Sequence, residues 1–535
     1  MRNFRVRALL VIAIMIALCL GANFLYNLQH EELITNSYSK PLKKAVKQEN
    51  PTNGINPETF EVTEGFETSL PLVIIDFPEG EPPIYMQKTE TGDYALIEGI
   101  EQYVDGQLTL INTGGINTPN DEPELSTNIV IKRRGNSSMM YEKAQWSVKF
   151  VTESGQYRDL DVLGMGEEHE WILNGSLADK SMLRNYLAYS IASEFMPYVP
   201  EEYYCEVLIR DRGVLKYQGV YLLGENIKYG EDRINLEKFN SNRVANSYVI
   251  RRDRFDEEGT MLDTFGRLNG YDKKYIGVIY PSKNDITQDM FDYIEDDVNN
   301  VEEILYSDND KVFYSYPDVI DVNSFVDYFL LNEFFLSYDA GENSTYAYKD
   351  IGGKLTMGPV WDFDGTMDNF VIEPAEPKNL AFEVKPWFDM LCTDKVYCQK
   401  LIDRYAELRN TSFSDQHINE KIIEITEHLG GASDREWLRW GSWYTSISTQ
   451  PPIGLHDYVR EDGVILHRNA ETLDDELYRI KTVLHDHAEA MPTALIALRD
   501  TATRNSGLGR WKTWLLFGAL CIFTVPSIII VYSKK

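Results

Sequence analysis

Alternating apolar and polar residues predict β-strands in the first half of the chain. LPLVIIDF at 70–77 has the length and composition of a short buried strand. NIVIKRRGNSS at 128–138 and QWSVKFV at 145–151 alternate like two paired strands. YYCEVLIR and YQGVYLLGENI, joined by a charged turn at DRGVLK, predict a further hairpin. The first half is therefore expected to contain antiparallel sheets.

Helical spacing of the apolar residues replaces this alternation in the second half. It first occurs in 179–195, behind Asp179 as a predicted N-cap. Residues 286–306, 321–338 and most of 385–500 follow the same spacing, and TYAYKD, GGK and LTMGPVWDFD predict a strand, a turn and a strand between them. The pattern therefore predicts an α+β protein with a helix-rich second half.

Two long apolar segments flank this body. Residues 8–26 follow three arginines, and residues 514–532 precede a Ser-Lys-Lys terminus. Each segment can span a bilayer, and the basic residues favour the cytoplasm for both termini. We therefore expect a two-pass protein of the cell membrane whose large domain is extracytoplasmic. The expected parts are an N-terminal transmembrane anchor or signal segment, a polar linker, a folded domain and a C-terminal transmembrane helix, at residues 1–27, 28–66, 67–500 and 513–533.

The composition excludes one class of partner. The chain has 535 residues and a formal net charge of −32 at pH 7, and it contains no large basic run. Such a charge repels the phosphate backbone of nucleic acids, so we expect no nucleic-acid partner. The hydrophobic fraction of 43% is ample for a substantial core.

The cysteines give no sign of a metal site. Cys19 and Cys521 fall in the apolar segments, which leaves Cys205, Cys392 and Cys398 for the body. Cys392 and Cys398 could pair across a short loop or stay as free buried thiols. None of the three has the spacing of metal-ligating cysteines.

Two acidic stretches contain the residue types of a metal-binding site. Asp339 and Asn343 follow a predicted apolar helix, and Asp362 and Asp364 follow the next predicted hairpin. That hairpin can bring both stretches to one site. Carboxylates and an amide are ligands for magnesium, and an acid near the acceptor hydroxyl completes a site for phosphoryl transfer. Aspartates at the ends of helices and strands are also common as caps and turns.

The motif DFDGT also fits a different reaction. In a phosphatase of the haloacid dehalogenase type, Asp362 would be the nucleophile and Asp364 the acid. That fold usually begins its sheet with the motif, whereas here a long, ordered-looking stretch of chain precedes it. The sequence therefore favours phosphate addition over phosphate removal, with the phosphatase as a remote alternative.

Several motifs in one order point to a known family. RRGNSS at 133–138 is followed by KAQWSVKF, WILNGSLADKSMLRNYLAYSIA, YQGVYLLGENI and GPVWDFD, and a late helix carries Arg439-Trp440. Together these motifs resemble the spore-coat protein H (CotH) kinase family, over roughly residues 70–445. The resemblance implies a two-lobed, atypical protein-kinase-like fold. It also implies magnesium-dependent transfer of the γ-phosphoryl group of ATP to Ser or Thr of an envelope or coat protein.

The resemblance also implies roles for individual residues. Asp339 would be the catalytic acid that positions the acceptor hydroxyl. Asn343 and Asp362 would bind magnesium or manganese, and Asp364 is a further candidate for the metal. Lys149, the last lysine of the strand after RGNSS, would be catalytic by holding the nucleotide phosphates.

Three further residues are expected near the nucleotide. Glu225 could orient Lys149, and Arg134 and Asn136 of the RGNSS stretch could contact the nucleotide. The same stretch could equally be structural, with an arginine paired to a carboxylate and a Gly-Asn turn.

The sequence also departs from the pattern of the family and of ordinary kinases. It has no Gly-rich GxGxxG loop, and Ser147 stands where the family often has a second basic residue. Asn343 lies four residues past Asp339, whereas ordinary kinases place this asparagine five past, where Ser344 stands. A second hypothesis is therefore a non-catalytic binding or structural module of the cell surface or envelope, with a kinase-like fold.

Overall fold

The computed structural model describes residues 36–90, 94–256, 259–369, 376–445 and 457–505. Its strands are β1 (Leu72–Asp76), β2 (Met86–Lys88), β3 (Tyr94–Leu96), β4 (Val104–Ile111), β5 (Leu125–Arg133), β6 (Trp146–Val151), β7 (Leu160–Asp161), β8 (Glu167–Glu168), β9 (Glu170–Asn174), β10 (Glu202–Asp211), β11 (Val214–Glu225), β12 (Tyr248–Asp253), β13 (Thr260–Leu262), β14 (Tyr275–Tyr280), β15 (Thr345–Lys349), β16 (Thr356–Met357), β17 (Tyr458–Val459) and β18 (Ile465–Leu466). Its helices are α1 (Arg184–Ala192), α2 (Phe265–Leu268), α3 (Gln288–Leu305), α4 (Asp310–Phe313), α5 (Tyr316–Val319), α6 (Val322–Phe334), α7 (Phe388–Leu391), α8 (Lys395–Arg409), α9 (Asp415–Leu429), α10 (Gly431–Thr445) and α11 (Leu473–Thr501). The predicted mixed α+β class is confirmed.

Seven strands of the described chain close into a barrel in the order β1-β10-β11-β9-β6-β5-β4. All neighbours pair antiparallel except β1 and β10, which are parallel. Side chains alternate across each strand, so Trp146, Val148 and Phe150 of β6 pack inside the barrel. Ser147 and Lys149 of the same strand therefore point to the opposite face.

A second sheet has the order β13-β14-β12-β15-β16 and is antiparallel. The strand–turn–strand predicted before the acidic motif is confirmed as β15 and β16. Because β16 is an edge strand, DFDGT follows the margin of an antiparallel sheet. In chain order β16 is also the last strand of this sheet, whereas the phosphatase alternative would place the motif after the first strand of its sheet.

Helices pack around α6 to form the largest core. Phe325, Phe329 and Leu331 of α6 are fully buried, as expected for a helix that is apolar on all sides. The predicted helix at 179–195 is shorter in the structure, since α1 begins at Arg184. The N-cap is Leu183, so the prediction of Asp179 as the N-cap is wrong. The Asp179 carboxylate still accepts the Arg184 N–H, at 2.9 Å.

The segment expected to be a polar linker, 28–66, is described from residue 36. The hydroxyl of Tyr38 donates to the carbonyl of Pro200 at 2.8 Å, and the N–H of Ala45 donates to the carbonyl of Glu427 at 2.9 Å. From residue 36 this segment therefore lies against the body of the protein.

No helix within the described residues is long and apolar enough to cross a membrane. The longest helix, α11, is amphipathic and carries charged residues such as Asp474, Glu476 and Arg479. The two apolar segments predicted as spans, 8–26 and 514–532, lie outside the described residues. The finding contradicts the predicted two-pass membrane localisation, because the described helices are too polar or too short to span hydrocarbon.

The three cysteines of the body are free buried thiols. The thiol of Cys398 contacts the carbonyl oxygen of Cys392 at 3.1 Å. Of the two alternatives left open by the sequence, the structure has the unpaired thiols.

Candidate functional site

A cavity of about 1130 Å³ lies beside the outer face of the barrel. The RGNSS loop, the β2–β3 hairpin and Ser147 of β6 line one side of it, and Arg251 and Asp253 of β12 with Tyr346 of β15 line another. The floor includes the loop after β16, which we call the acid loop and define as residues 361–369. The cavity is therefore lined by several stretches that the sequence analysis identified, including the RGNSS loop and the acid loop.

Three aspartates from the two acidic stretches line this cavity: Asp339, Asp362 and Asp364. The amide of Asn343 donates to the Asp339 carboxylate at 2.6 Å, and the hydroxyl of Ser344 donates to the Asp362 carboxylate at 3.1 Å. The hairpin thus brings both stretches together, as its length predicted. Within the first acidic stretch, Asp362 is contacted by Ser344, which stands at the position where ordinary kinases have their asparagine.

The aspartates carry raised pKa values because the surrounding protein removes water from them. Asp362 is open to the cavity, yet desolvation and the neighbouring Asp364 raise the pKa of Asp362 to about 7, although Arg134 opposes the rise. Burial also raises the pKa of Asp364, and burial together with Asp362 raises that of Asp339. The Asp362 and Asp364 carboxylates lie close enough for each to shift the pKa of the other. Two carboxylates this close favour a shared proton or a bound cation.

The backbone of the acid loop is strained. Asp362, Met367 and Asp368 have φ angles of 68°, 54° and 59°, in the left-handed region that disfavours residues with a Cβ. Each such residue costs roughly 1–3 kcal/mol and persists only where the surrounding structure holds it. Strain of this kind is concentrated at functional sites.

Two consecutive arginines, Arg133 at the end of β5 and Arg134 at the start of the RGNSS loop, have different environments. Arg133 donates to the carbonyls of Pro82 and Tyr141, each at 3.0 Å, and so holds the loop in place. The Arg134 guanidinium lies 5.5 Å from the centre of the Trp361 ring, and both residues line the cavity. Asn136 lines it too. Arg134 and Asn136 therefore face the cavity, and their contact with a nucleotide stays a prediction.

Lys149 and Glu225 are not among the residues that line the cavity. The Lys149 ammonium lies 3.9 Å from the Glu170 carboxylate, whereas the Glu225 carboxylate pairs with Arg233 at 2.9 Å. The structure therefore does not bring Lys149 and Glu225 together. Glu170, on the neighbouring strand β9, is the acid beside Lys149.

Sequence reasoning missed two polar residues of the cavity region. Lys132 lies opposite Ser147 in the β5–β6 register and lines the cavity, so a basic side chain is present at the level where β6 has a serine. The hydroxyl of Ser176 donates to the Asp364 carboxylate. The strand alternation that predicted β5 and β6 could have found Lys132. Ser176, which follows β9, lies within the quoted WILNGS stretch, but that motif alone assigns it no role.

The buried acid Glu202 is linked to the acid loop through Asn185 of α1. Asn185 of α1 donates to both carboxylate oxygens of Glu202 at 2.8 Å and accepts the Phe363 N–H at 2.9 Å. Burial raises the pKa of Glu202 to about 8. Glu202 is therefore protonated in the folded protein at pH values where it is ionised in the unfolded chain.

Replacing Glu202 with Gln is expected to flatten the dependence of stability on pH. Because the pKa of Glu202 rises on folding, its share of the stability is lost as pH increases from about 4.5 to about 8. Gln keeps the shape of Glu and cannot ionise. The difference in unfolding free energy between variant and wild type should therefore be more favourable to the variant at pH 9 than at pH 4, by on the order of 1–3 kcal/mol. Urea unfolding at both pH values measures this. An equal difference at the two pH values would contradict it.

Comparison with known proteins agrees with the motifs in the cavity. The family model described as CotH kinase protein matches residues 131–489, from β5 into α11. No curated protein matches the chain. The family match includes the RGNSS loop, both acidic stretches and the late Arg439-Trp440 pair. Because the match spans well over half of the 535 residues, the chain belongs to the CotH kinase protein family.

Proposed function

We propose that this protein is a magnesium-dependent kinase that transfers the γ-phosphoryl group of ATP to a Ser or Thr hydroxyl of an envelope or coat protein. The observation that carries the proposal is the convergence of Asp339, Asp362 and Asp364 in one cavity with Arg134. Family membership supports the same class of reaction. A site of this kind needs carboxylates for metal, a cation for phosphate and an acid beside the acceptor.

We also propose a two-lobed kinase-like arrangement. The barrel would form the first lobe, and the second sheet with the helices around α6 would form the second. The cavity has walls from both parts, since Ser147 of β6 and Arg251 of β12 both line it. This placement is the one expected for a nucleotide between two lobes.

The acid loop offers a donor set that fits magnesium or manganese. Asp362 and Asp364 supply carboxylate oxygens, and the Ser344 hydroxyl is bonded to Asp362. The side-chain oxygen of Asn343 is buried and has no hydrogen-bond partner in the described chain, so its lone pairs are available to a cation. Oxygen donors of this type suit hard divalent cations. A bound ion would neutralise the phosphate charge of ATP during transfer.

Basic side chains on the barrel side are proposed to hold the phosphates. Arg134 and Lys132 line the cavity directly, and Asn136 offers an amide beside them. Lys149 lies two residues past Ser147 on the same face of β6, so a phosphate extending along that strand would reach it. Its partner Glu170 would then be the acid that orients it, in place of Glu225.

Asp339 is proposed to act on the acceptor. Its carboxylate is held by the Asn343 amide, and desolvation makes it more basic than an ordinary aspartate. It would accept the proton of the acceptor hydroxyl as the new O–P bond forms and the bond to the leaving ADP breaks. General-base catalysis of this kind contributes typically about 10²–10⁴-fold to a rate.

Transfer of labelled phosphate tests the proposed function. The full-length chain would be incubated with ATP labelled in its γ-phosphate and with a mixture of envelope and coat proteins. The expected result is label on Ser or Thr in magnesium and none when the metal is chelated. No transfer to any protein, combined with no ATP binding by the folded chain, would favour the non-catalytic envelope module instead.

A further inference from the structure

A buried network of ion pairs lies directly beneath the acid loop. Arg479 of α11 donates to the backbone carbonyl of Asp368 at 2.8 Å and to its carboxylate at 3.0 Å. Arg468 donates to the same carboxylate at 3.0 Å. Asp368, Arg468 and Arg479 are all buried, with at most 4% of each exposed. Arg468 and Arg479 thus bind a loop that lies about a hundred residues earlier in the chain.

The network continues to α1 through a second acid. Glu476 accepts from Arg479 at 2.8 Å and from Arg184 at 2.6 Å. Arg184 also donates to the carbonyl of Thr366 at 2.9 Å. The acid loop is therefore held by α11 at Asp368 and by α1 at Thr366, and Glu476 joins the two holders.

These contacts fall where the loop is strained. Met367 and Asp368 both have left-handed φ angles, and Arg184 and Arg479 bond to carbonyls at Thr366 and Asp368. Strained backbone persists only where the surrounding structure determines it. The other end of the same loop carries Asp362, which is also left-handed.

We infer that Arg468 and Arg479 are positioning residues of the site: by clamping Asp368 they fix the acid loop and so set where the Asp362 and Asp364 carboxylates stand. The consequence for metal binding rests on the proposed function. The clamp itself rests only on the contacts with Asp368. Neither arginine is among the residues that line the cavity, so each would act through the loop.

Arg479→Met tests the clamp, because Met fills a similar volume and cannot bridge Asp368 to Glu476. Arg499→Met is the matched control: Arg499 is on the same helix, roughly 30 Å further along at about 1.5 Å per residue. It contacts Gln399 and Asp500, which lie outside this network. Two quantities would be measured on the full-length chain below the unfolding temperature of every variant. They are the Mn²⁺ affinity and the amide hydrogen exchange of a peptide covering 358–369.

Arg479→Met is expected to weaken Mn²⁺ binding about 10- to 100-fold, as for lost support of a metal ligand, and to speed exchange in 358–369. Arg499→Met should change neither quantity. Arg479→Lys should fail to restore them, because one ammonium cannot replace a guanidinium that spans Asp368 and Glu476. A role in stability alone would lower the unfolding temperature and leave the Mn²⁺ affinity of the folded variant unchanged.

Removing an arginine leaves the negative charge of a buried carboxylate only partly neutralised, and this can unfold a protein. Arg468→Met is the second variant if Arg479→Met does not fold, since Arg479 still neutralises Asp368 in it. Wild-type affinity and exchange in a folded clamp variant would overturn the inference. Faster loop exchange together with a wild type that binds no Mn²⁺ would support the clamp and count against the proposed function alone.

Discussion

Asp362→Asn is expected to abolish metal-dependent ATP binding and to lower phosphoryl transfer about 10³-fold or more, since it removes a charged group central to transition-state stabilisation. The Asp362 carboxylate accepts from the Ser344 hydroxyl, feels the charge of Asp364 and lines the cavity. Asparagine keeps the shape but offers a single neutral oxygen to a cation. Calorimetric titration of ATP, with and without magnesium, measures the first effect, and labelled-phosphate transfer measures the second.

Two comparisons separate this effect from loss of folding. Asp403→Asn removes the same charge from an exposed position on α8, where Asp403 accepts from Gln399 at 2.8 Å, and it should leave binding and transfer unchanged. Asp362→Asn should also unfold no more easily than wild type at pH 8 without metal. The reason is that it relieves repulsion from Asp364, which helps to raise the pKa of Asp362 to about 7. Retained magnesium-dependent binding in Asp362→Asn would contradict the assigned metal site.

Asp339→Asn is expected to separate chemistry from binding. Transfer should fall by about 10²–10⁴-fold because the group that accepts the hydroxyl proton is gone. Affinity for magnesium and ATP should stay near that of wild type, since the side-chain oxygen of asparagine can still accept from Asn343. Single-turnover transfer and calorimetry on the same preparation measure both. Loss of ATP affinity to the same degree as transfer would move Asp339 from the acceptor to the metal or the nucleotide.

The sequence predicted the local elements and one long-range feature of the site. Alternation gave the strands around RGNSS, and helical spacing gave α3 and α6 within a few residues. The hairpin between Asp339 and Asp362 was short enough to predict that its ends meet, and both residues line the cavity. These features depend on nearby residues, so periodicity and length were sufficient to find them.

Features that depend on packing between distant segments were not predictable. The parallel pairing of β1 with β10 closes the barrel across more than a hundred residues of intervening chain. The acid beside Lys149 is Glu170 because β6 and β9 are neighbours, which no motif reveals. Likewise, a local pattern gives no reason for Arg479 of an amphipathic helix to reach Asp368 in the acid loop.

The membrane prediction shows a different limit. Hydropathy alone suggested two spans, at 8–26 and 514–532, and so a two-pass protein. The described residues contain no helix able to cross a membrane, and the two apolar segments lie outside them. The kinase proposal depends on the cavity and the acid loop, and it does not require the localisation that was corrected.

The central claim is that the cavity binds ATP through a divalent cation held by the acid loop. The most direct test is calorimetric titration of ATP into the full-length wild-type chain, once with magnesium or manganese and once with the metal chelated. We predict binding of one ATP per chain that requires the metal. A folded chain that binds no ATP in either condition would contradict the claim.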